Sequence, residues 1–145
     1  MNGRDRRDRG GQALVEFSLA LTVFLMLIMG IVDFGRAIYQ YNGVAQAARE
    51  IARVTAAHEG TDFTTDAGRS DETKAVIATQ MNLIPNLQDP VIKCVDIDGT
   101  VITGHCVQGK WINVYINAPY TPITPLLGLT GTWNLFSAST SVQLQ

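Results

Sequence analysis

Residues 17–32 read F-S-L-A-L-T-V-F-L-M-L-I-M-G-I-V and contain no charged side chain. Sixteen helical residues span about 24 Å, short of a bilayer core of ~30 Å. Starting at Gln12 extends the segment to 21 residues and about 31 Å, which is long enough. The longer segment takes in Glu16. A carboxylate inside the apolar layer costs about 2.5–3.5 kcal/mol on insertion scales, and less near the interface. Two readings of Glu16 stay open on position alone: a side chain snorkelling at the membrane edge, or one kept for a partner.

The flanks of this segment set an orientation. Residues 1–11 carry four Arg and two Asp, whereas Asp33 and Arg36 cancel on the far side. The positive-inside rule puts residues 1–11 in the cytoplasm and the remainder outside. The apolar run is followed by D-F-G-R-A-I-Y, which is not the small-residue cleavage site of a secretory signal. Arg6-Arg7 lacks the sequel of a twin-arginine signal. The segment therefore either stays as an anchor or is trimmed in front. Whole-chain composition agrees. Of 145 residues, 46% are hydrophobic and 17% charged. That is one domain's length with fewer charges than the ordinary ~25%, so some apolar surface meets something besides water. The apolar content excludes disorder throughout. A net charge of −2 argues against nucleic acid as a partner.

No helix stop follows Val32. Phe34, Ile38, Tyr41, Ala45, Ala48, Ala52 and Thr55 recur at steps of four and three, which is one stripe of an amphipathic helix. Glu50 and Arg53 are spaced for an i,i+3 pair on another face. The small residues in the second half of the stripe permit close approach of another element. One helix from about Ala13 to Ala57 is expected, its first half in lipid and its second half outside.

These residues resemble the TadE-like pseudopilins, minor pilins of the tight-adherence (Flp-type) branch of type IV pili. The resemblance lies in G-G-Q-A-L-V-E-F at 10–17, the apolar run, G-I-V-D-F-G-R-A at 30–37 and A-A-R-E-I-A-R at 47–53. A second stretch, P-Y-T-P-I-T-P-L-L-G-L-T-G at 119–131, is similar to the family's C-terminal region. The resemblance implies cleavage by a prepilin peptidase between Gly11 and Gln12, with residues 1–11 as a cytoplasmic leader. Glu16, followed by Phe17, would become the fifth residue of the mature chain. There it would pair with the first residue's amine in a neighbouring subunit and set the register between subunits. Thr22 stands where many family members have Pro, so a Pro kink is not forced there. Whether the role is TadE-like or that of the sister TadF-like group is left open.

Beyond the long helix, His58 to Arg69 reads as a surface loop. Ser70 can cap a second helix with Asp71 and Glu72 in its first turn. Ala75, Val76, Ile77, Met81 and Leu83 supply its apolar residues, and Pro85 stops it. Val91 to Ile97 and Thr100 to Thr103 flank Asp98-Gly99, a strong hairpin dipeptide. Ile112, Val114 and Ile116 alternate with polar residues as a half-buried strand, and Thr132 to Leu144 is β-prone. The expected fold is α+β and pilin-like: a long N-terminal helix packed on a small antiparallel sheet, with one short extra helix. Residues 12–57 form the long helix, with 12–32 transmembrane and 33–57 extracytoplasmic, and 58–145 form the head. Cys94 and Cys106 lie in the part placed outside, where a disulfide is permitted. It would close a loop of about 12 residues, worth roughly 3 kcal/mol in the chain-entropy model. Free thiols are the alternative.

Three constellations point elsewhere. Asp96 to Val101 reads D-x-D-G-T-V, like the nucleophile motif of haloacid-dehalogenase-type phosphatases. That chemistry needs Mg²⁺ and further acidic residues, yet no Asp or Glu follows Thr100 and Lys110 is the sole Lys there. A hairpin turn is the better reading. His105 beside Cys106, with Cys94 and a distant His58, matches no common zinc spacing. Trp111, Trp133, Tyr115 and Phe136 could form a ligand or carbohydrate surface, but strand aromatics more often serve the core or cross-strand pairs.

The expectation is a non-catalytic pseudopilin acting in assembly or priming of a pilus used in surface attachment. It needs no metal or cofactor. It sits in the inner (cytoplasmic) membrane with one span, and after processing is pilus-associated. Its partners are the prepilin peptidase, other pilins and pseudopilins of the system, and the pilus assembly platform. One rival is a single-pass anchored extracytoplasmic binding module that is never processed. Another is an extracytoplasmic enzyme, which the lack of a convincing nucleophile–base set argues against.

Overall fold

The computed structural model describes residues 4–58, 62–104, 106–124, 131 and 137–143. His105, Trp133, Phe136, residues 1–3 of the expected leader and residues 125–130 of the Pro-rich stretch lie outside them. The element order is α1 (Arg4–Ala57), α2 (Asp71–Leu83), β1 (Val91–Val95), β2 (Val101–Ile102), β3 (Trp111–Asn117) and β4 (Ser137–Gln143). This is the expected α+β arrangement. The described chain divides into two compact units, residues 1–36 with 122–130 and residues 37–121 with 131–145. The second half of α1 thus belongs with the head.

α1 starts at Arg4, earlier than the expected Ala13. No Pro interrupts residues 4–12. Gly10-Gly11 weakens the helix by about 1 kcal/mol per residue relative to Ala without ending it. The helix also runs unbroken through Thr22.

In the head, α1 buries Val44, Ala47, Ala48, Ile51, Ala52 and Thr55. All but Thr55 share one core cluster with Ile92 and Cys94 of β1 and Ile112, Val114 and Ile116 of β3. The three alanines let the sheet approach the helix closely. The expected stripe is only half right. Ala48, Ala52 and Thr55 are buried, but Phe34, Ile38 and Tyr41 are exposed. Toward its N-terminal end the covered face turns to Ala37, which packs on the core, and Gln40, whose Nε2 donates to the Pro85 carbonyl at 3.3 Å. Two neighbouring apolar stripes exist, and periodicity alone does not say which one the head covers.

α2 begins as expected: the Ser70 hydroxyl accepts from the Thr73 N–H at 3.2 Å. Its inward residues are Thr73 and Ile77, whereas Met81 and Leu83 face out. The buried Thr73 hydroxyl reaches the Thr55 hydroxyl at 3.5 Å, and Thr55 donates to its own helix at Ile51 O. The loop of residues 58–69 is not wholly a surface feature, because Phe63 and Arg69 are buried. It closes by a bridge between Asp62 and Gly68 so tight that a Cβ at Gly68 would lie 2.2 Å from the Asp62 carbonyl oxygen.

The described strands form one antiparallel sheet in the order β2-β1-β3-β4. The turn between β1 and β2 is the hairpin expected at Asp98-Gly99. The Asp96 N–H donates to Thr100 O at 2.9 Å, and Gly99 takes the left-handed φ of 86° that favours glycine. Cys94 and Cys106 form a disulfide with Cα atoms 5.8 Å apart, and both are buried. Replacing both by Ala should cost roughly 3 kcal/mol, by the loop-closure arithmetic above. Thermal melting of the double variant beside the oxidised parent checks this, and coincident melting curves would remove the staple role.

Candidate functional site

Gly11, Gln12, Glu16 and Phe17 all lie on α1 and are all exposed. Gln12 and Glu16 are one turn apart and so share a face, while Phe17 points about a quarter-turn away. Among the described residues nothing pairs with Glu16. From Gly11 to Met29 every residue is exposed, including Leu14, Phe17, Leu19, Val23 and Phe24. A helix apolar around its whole circumference and left exposed by the described residues calls for apolar surroundings. Among the described residues it is the single helix long and apolar enough to cross a membrane.

The two hydroxyls within this stretch are satisfied locally. Ser18 donates to Leu14 O and Thr22 to Ser18 O, both at 2.8 Å. Such back-bonding removes the cost of an unpaired hydroxyl in lipid, so neither residue argues against a span. Among the described residues Glu16 has no comparable local partner, which sets it apart from Ser18 and Thr22.

The far end of the apolar stretch is marked by Asp33. Its carboxylate accepts the N–H of Ile123 at 3.2 Å, the N–H of Thr124 at 3.0 Å, and the Thr124 hydroxyl. Arg36 lies 3.8 Å away. These contacts, the Thr124 hydroxyl first among them, hold the Asp33 carboxyl below its ordinary range against the opposing effect of burial. Sequence reasoning saw Asp33 only as a charge that cancels Arg36. Nothing local announces a partner 90 residues on.

The remaining singled-out residues fall in the head. The sulfurs of Cys94 and Cys106 are joined and cannot serve as thiolate ligands. The His58 ring bonds its own helix, Nδ1 to Val54 O at 3.0 Å. In the D-x-D-G-T-V stretch, Asp96 pairs with Lys110 at 2.6 Å and Asp98 accepts the Thr100 N–H at 2.9 Å, both ordinary turn and strand-end contacts. Trp111 and Tyr115 lie on β3, facing away from the core. Arg69, unremarked in the sequence, is 3% exposed and donates to two backbone carbonyls, Phe63 O at 3.3 Å and Pro90 O at 2.8 Å.

Residues 11–53 match the family model described as TadE-like protein. The matched segment holds Gly11, Gln12, Glu16, the whole apolar stretch and the start of the head-packing half of α1. This segment, and not the head, is what is similar to TadE-like proteins. No curated protein and no solved structure matches the chain.

Proposed function

We propose that this protein is a pseudopilin, a minor pilin that takes part in assembly or priming of a tight-adherence pilus used in surface attachment. It acts by helix packing, not by catalysis. One observation carries the reading: the TadE-like match and the exposed, membrane-length apolar helix are the same stretch of chain. In this reading residues 1–11 are a cytoplasmic leader and the head is extracytoplasmic, anchored in the inner membrane. The Arg-rich flank favours that orientation. The disulfide does too, since such bonds persist in oxidising compartments.

Processing by a prepilin peptidase hydrolyses the Gly11–Gln12 bond. Gly11 leaves as a carboxylate and Gln12 keeps a new α-amino group. α1 is helical through this bond, so the peptidase must unwind it. Gly10 and Gly11, the poorest helix formers after Pro, make that unwinding cheap. The Gln12 amine and the Glu16 carboxylate of a neighbouring subunit are then both stranded in apolar surroundings. Pairing offsets part of two desolvation costs and fixes the axial register. Subunits associate laterally in the membrane with other pilins and pseudopilins at the assembly platform, and a separate cytoplasmic ATPase drives extraction.

The test is the intact mass of the protein from membranes, with and without its prepilin peptidase. Loss of residues 1–11 only with the peptidase is the expected result. An unchanged mass, with the peptidase active on another substrate, leaves an unprocessed anchored binding module as the better account.

A further inference from the structure

We propose that the outer face of the sheet holds a binding subsite for one pyranose ring of a neutral glycan, in the depression beside Trp111, Asp96 and Asn113. The inference does not depend on the pilus reading.

Strand alternation builds the face. Ile112, Val114 and Ile116 point into the core, so Trp111, Asn113 and Tyr115 point out. Across the ladder Trp111 is opposite Val95 and Tyr115 opposite Val91. Neither aromatic ring therefore has an aromatic cross-strand partner on β1. Beside Trp111 the Asp96–Thr100 turn rises from the end of β1. The two flank a shallow, open depression of about 280 Å³ lined by Val95, Asp96, Ile97, Gly99, Trp111 and Asn113. Pockets for drug-sized ligands run to about 300–1,000 Å³, so this one suits a single ring.

Its chemistry is divided in the way a sugar requires. A pyranose has apolar C–H faces and a rim of hydroxyls. Trp111, Val95 and Ile97 offer apolar surface, and Ile97 is 89% exposed. Asp96 and Asn113 offer the polar edge. The Asp96 carboxylate is bound by Lys110 at 2.6 Å and by the Ile97 N–H at 2.7 Å. The Lys110 ammonium holds its carboxyl below the ordinary range, so it stays an acceptor. The ion pair is neutral as a whole, which gives a phosphate, sulfate or metal ion little to bind. Among the described residues no hydrogen-bond partner is present for the Asn113 carboxamide or the Trp111 indole N–H. Four residues along β3, about 13 Å away, Tyr115 is 41% exposed with the Lys93 ammonium 5.8 Å from its ring centre, a second platform for a longer chain. Both platforms stand on paired strands and are preorganised, which lowers the entropic cost of binding.

Calorimetric titration of the full chain in detergent micelles tests this. The probes are cellohexaose, chitohexaose and maltohexaose, with a heparin hexasaccharide as the anionic comparison. At least one neutral hexasaccharide should bind saturably and resist ~0.5 M salt. Trp111→Ala and Asn113→Ala should each weaken it about tenfold, equivalent to about 1.4 kcal/mol. Ile97→Glu, at a position too exposed to affect folding, should weaken it similarly by intruding on the depression. It keeps the test intact where a strand variant melts early. Absence of binding to all three neutral probes overturns the proposal. So does binding that Ile97→Glu leaves unchanged, or binding of heparin alone that salt abolishes.

Discussion

Glu16→Ala is expected to insert into the membrane normally, to be processed normally, and to be missing from pili. Insertion is favoured by the change, because the carboxylate is what costs about 2.5–3.5 kcal/mol in the apolar layer. The proposed processing would act at the Gly11–Gln12 bond, one helical turn away. What the variant lacks is the group that, in the proposed register pairing, would meet a neighbour's amine. Glu16 is exposed, so the loss disturbs no internal contact among the described residues. Glu16→Gln separates charge from hydrogen bonding: it keeps an acceptor but not the charge, and should incorporate poorly as well. Carbonate-resistant membrane fractions, intact mass and immunoblots of sheared pili give the three readouts. Normal incorporation of Glu16→Ala would sink the register-pairing idea while leaving the anchor intact.

Arg69→Met is expected to be the most damaging single change in the head. The guanidinium is buried and fixes two segments at once, donating from Nε to Phe63 O and from Nη2 to Pro90 O. Removing it leaves two buried carbonyls without donors, at about 1–3 kcal/mol each. A loss of about 3 kcal/mol in a head of this size lowers Tm by more than ~10 °C. The ion pair itself matters less. Asp89 contacts Nη1 at 3.3 Å but is 63% exposed, and exposed pairs contribute about 0–1 kcal/mol. Asp89→Asn should therefore move the melting point only slightly. Comparable losses from Arg69→Met and Asp89→Asn in thermal melts would show that the charge pair, not the carbonyl clip, holds the loop.

The elements legible beforehand are those whose cause lies within a few residues. The apolar stretch after Gln12 needs only its composition. The α2 cap needs Ser70 and the Thr73 N–H three positions on. The hairpin needs Asp98-Gly99, and β3 needs the alternation around Ile112, Val114 and Ile116. Gly11, Gln12, Glu16 and Phe17 came as a group from the family resemblance, and their adjacency on one helix is all that the fold adds. The disulfide was half legible. Two cysteines allow one pairing, but only the β1–β2 hairpin brings Cys94 and Cys106 to bonding distance.

What tertiary structure alone decided is which of several chemically equivalent options each residue took. Phe34, Ile38 and Tyr41 continue the same apolar stripe as Ala48 and Ala52, yet only the latter meet the sheet. Periodicity records that a face is apolar and not what covers it. Phe63 sits in a polar loop and Arg69 is a charged residue beside Asp66, so local composition put both at the surface. Burial of Phe63 and the Pro90 carbonyl acceptor for Arg69 come from segments brought together by the fold. Asp33 likewise finds its donors at Ile123 and Thr124. Local pattern is set by the chain's covalent neighbours. Partners 20 to 90 residues apart are set by packing, and that information exists only once the core has formed.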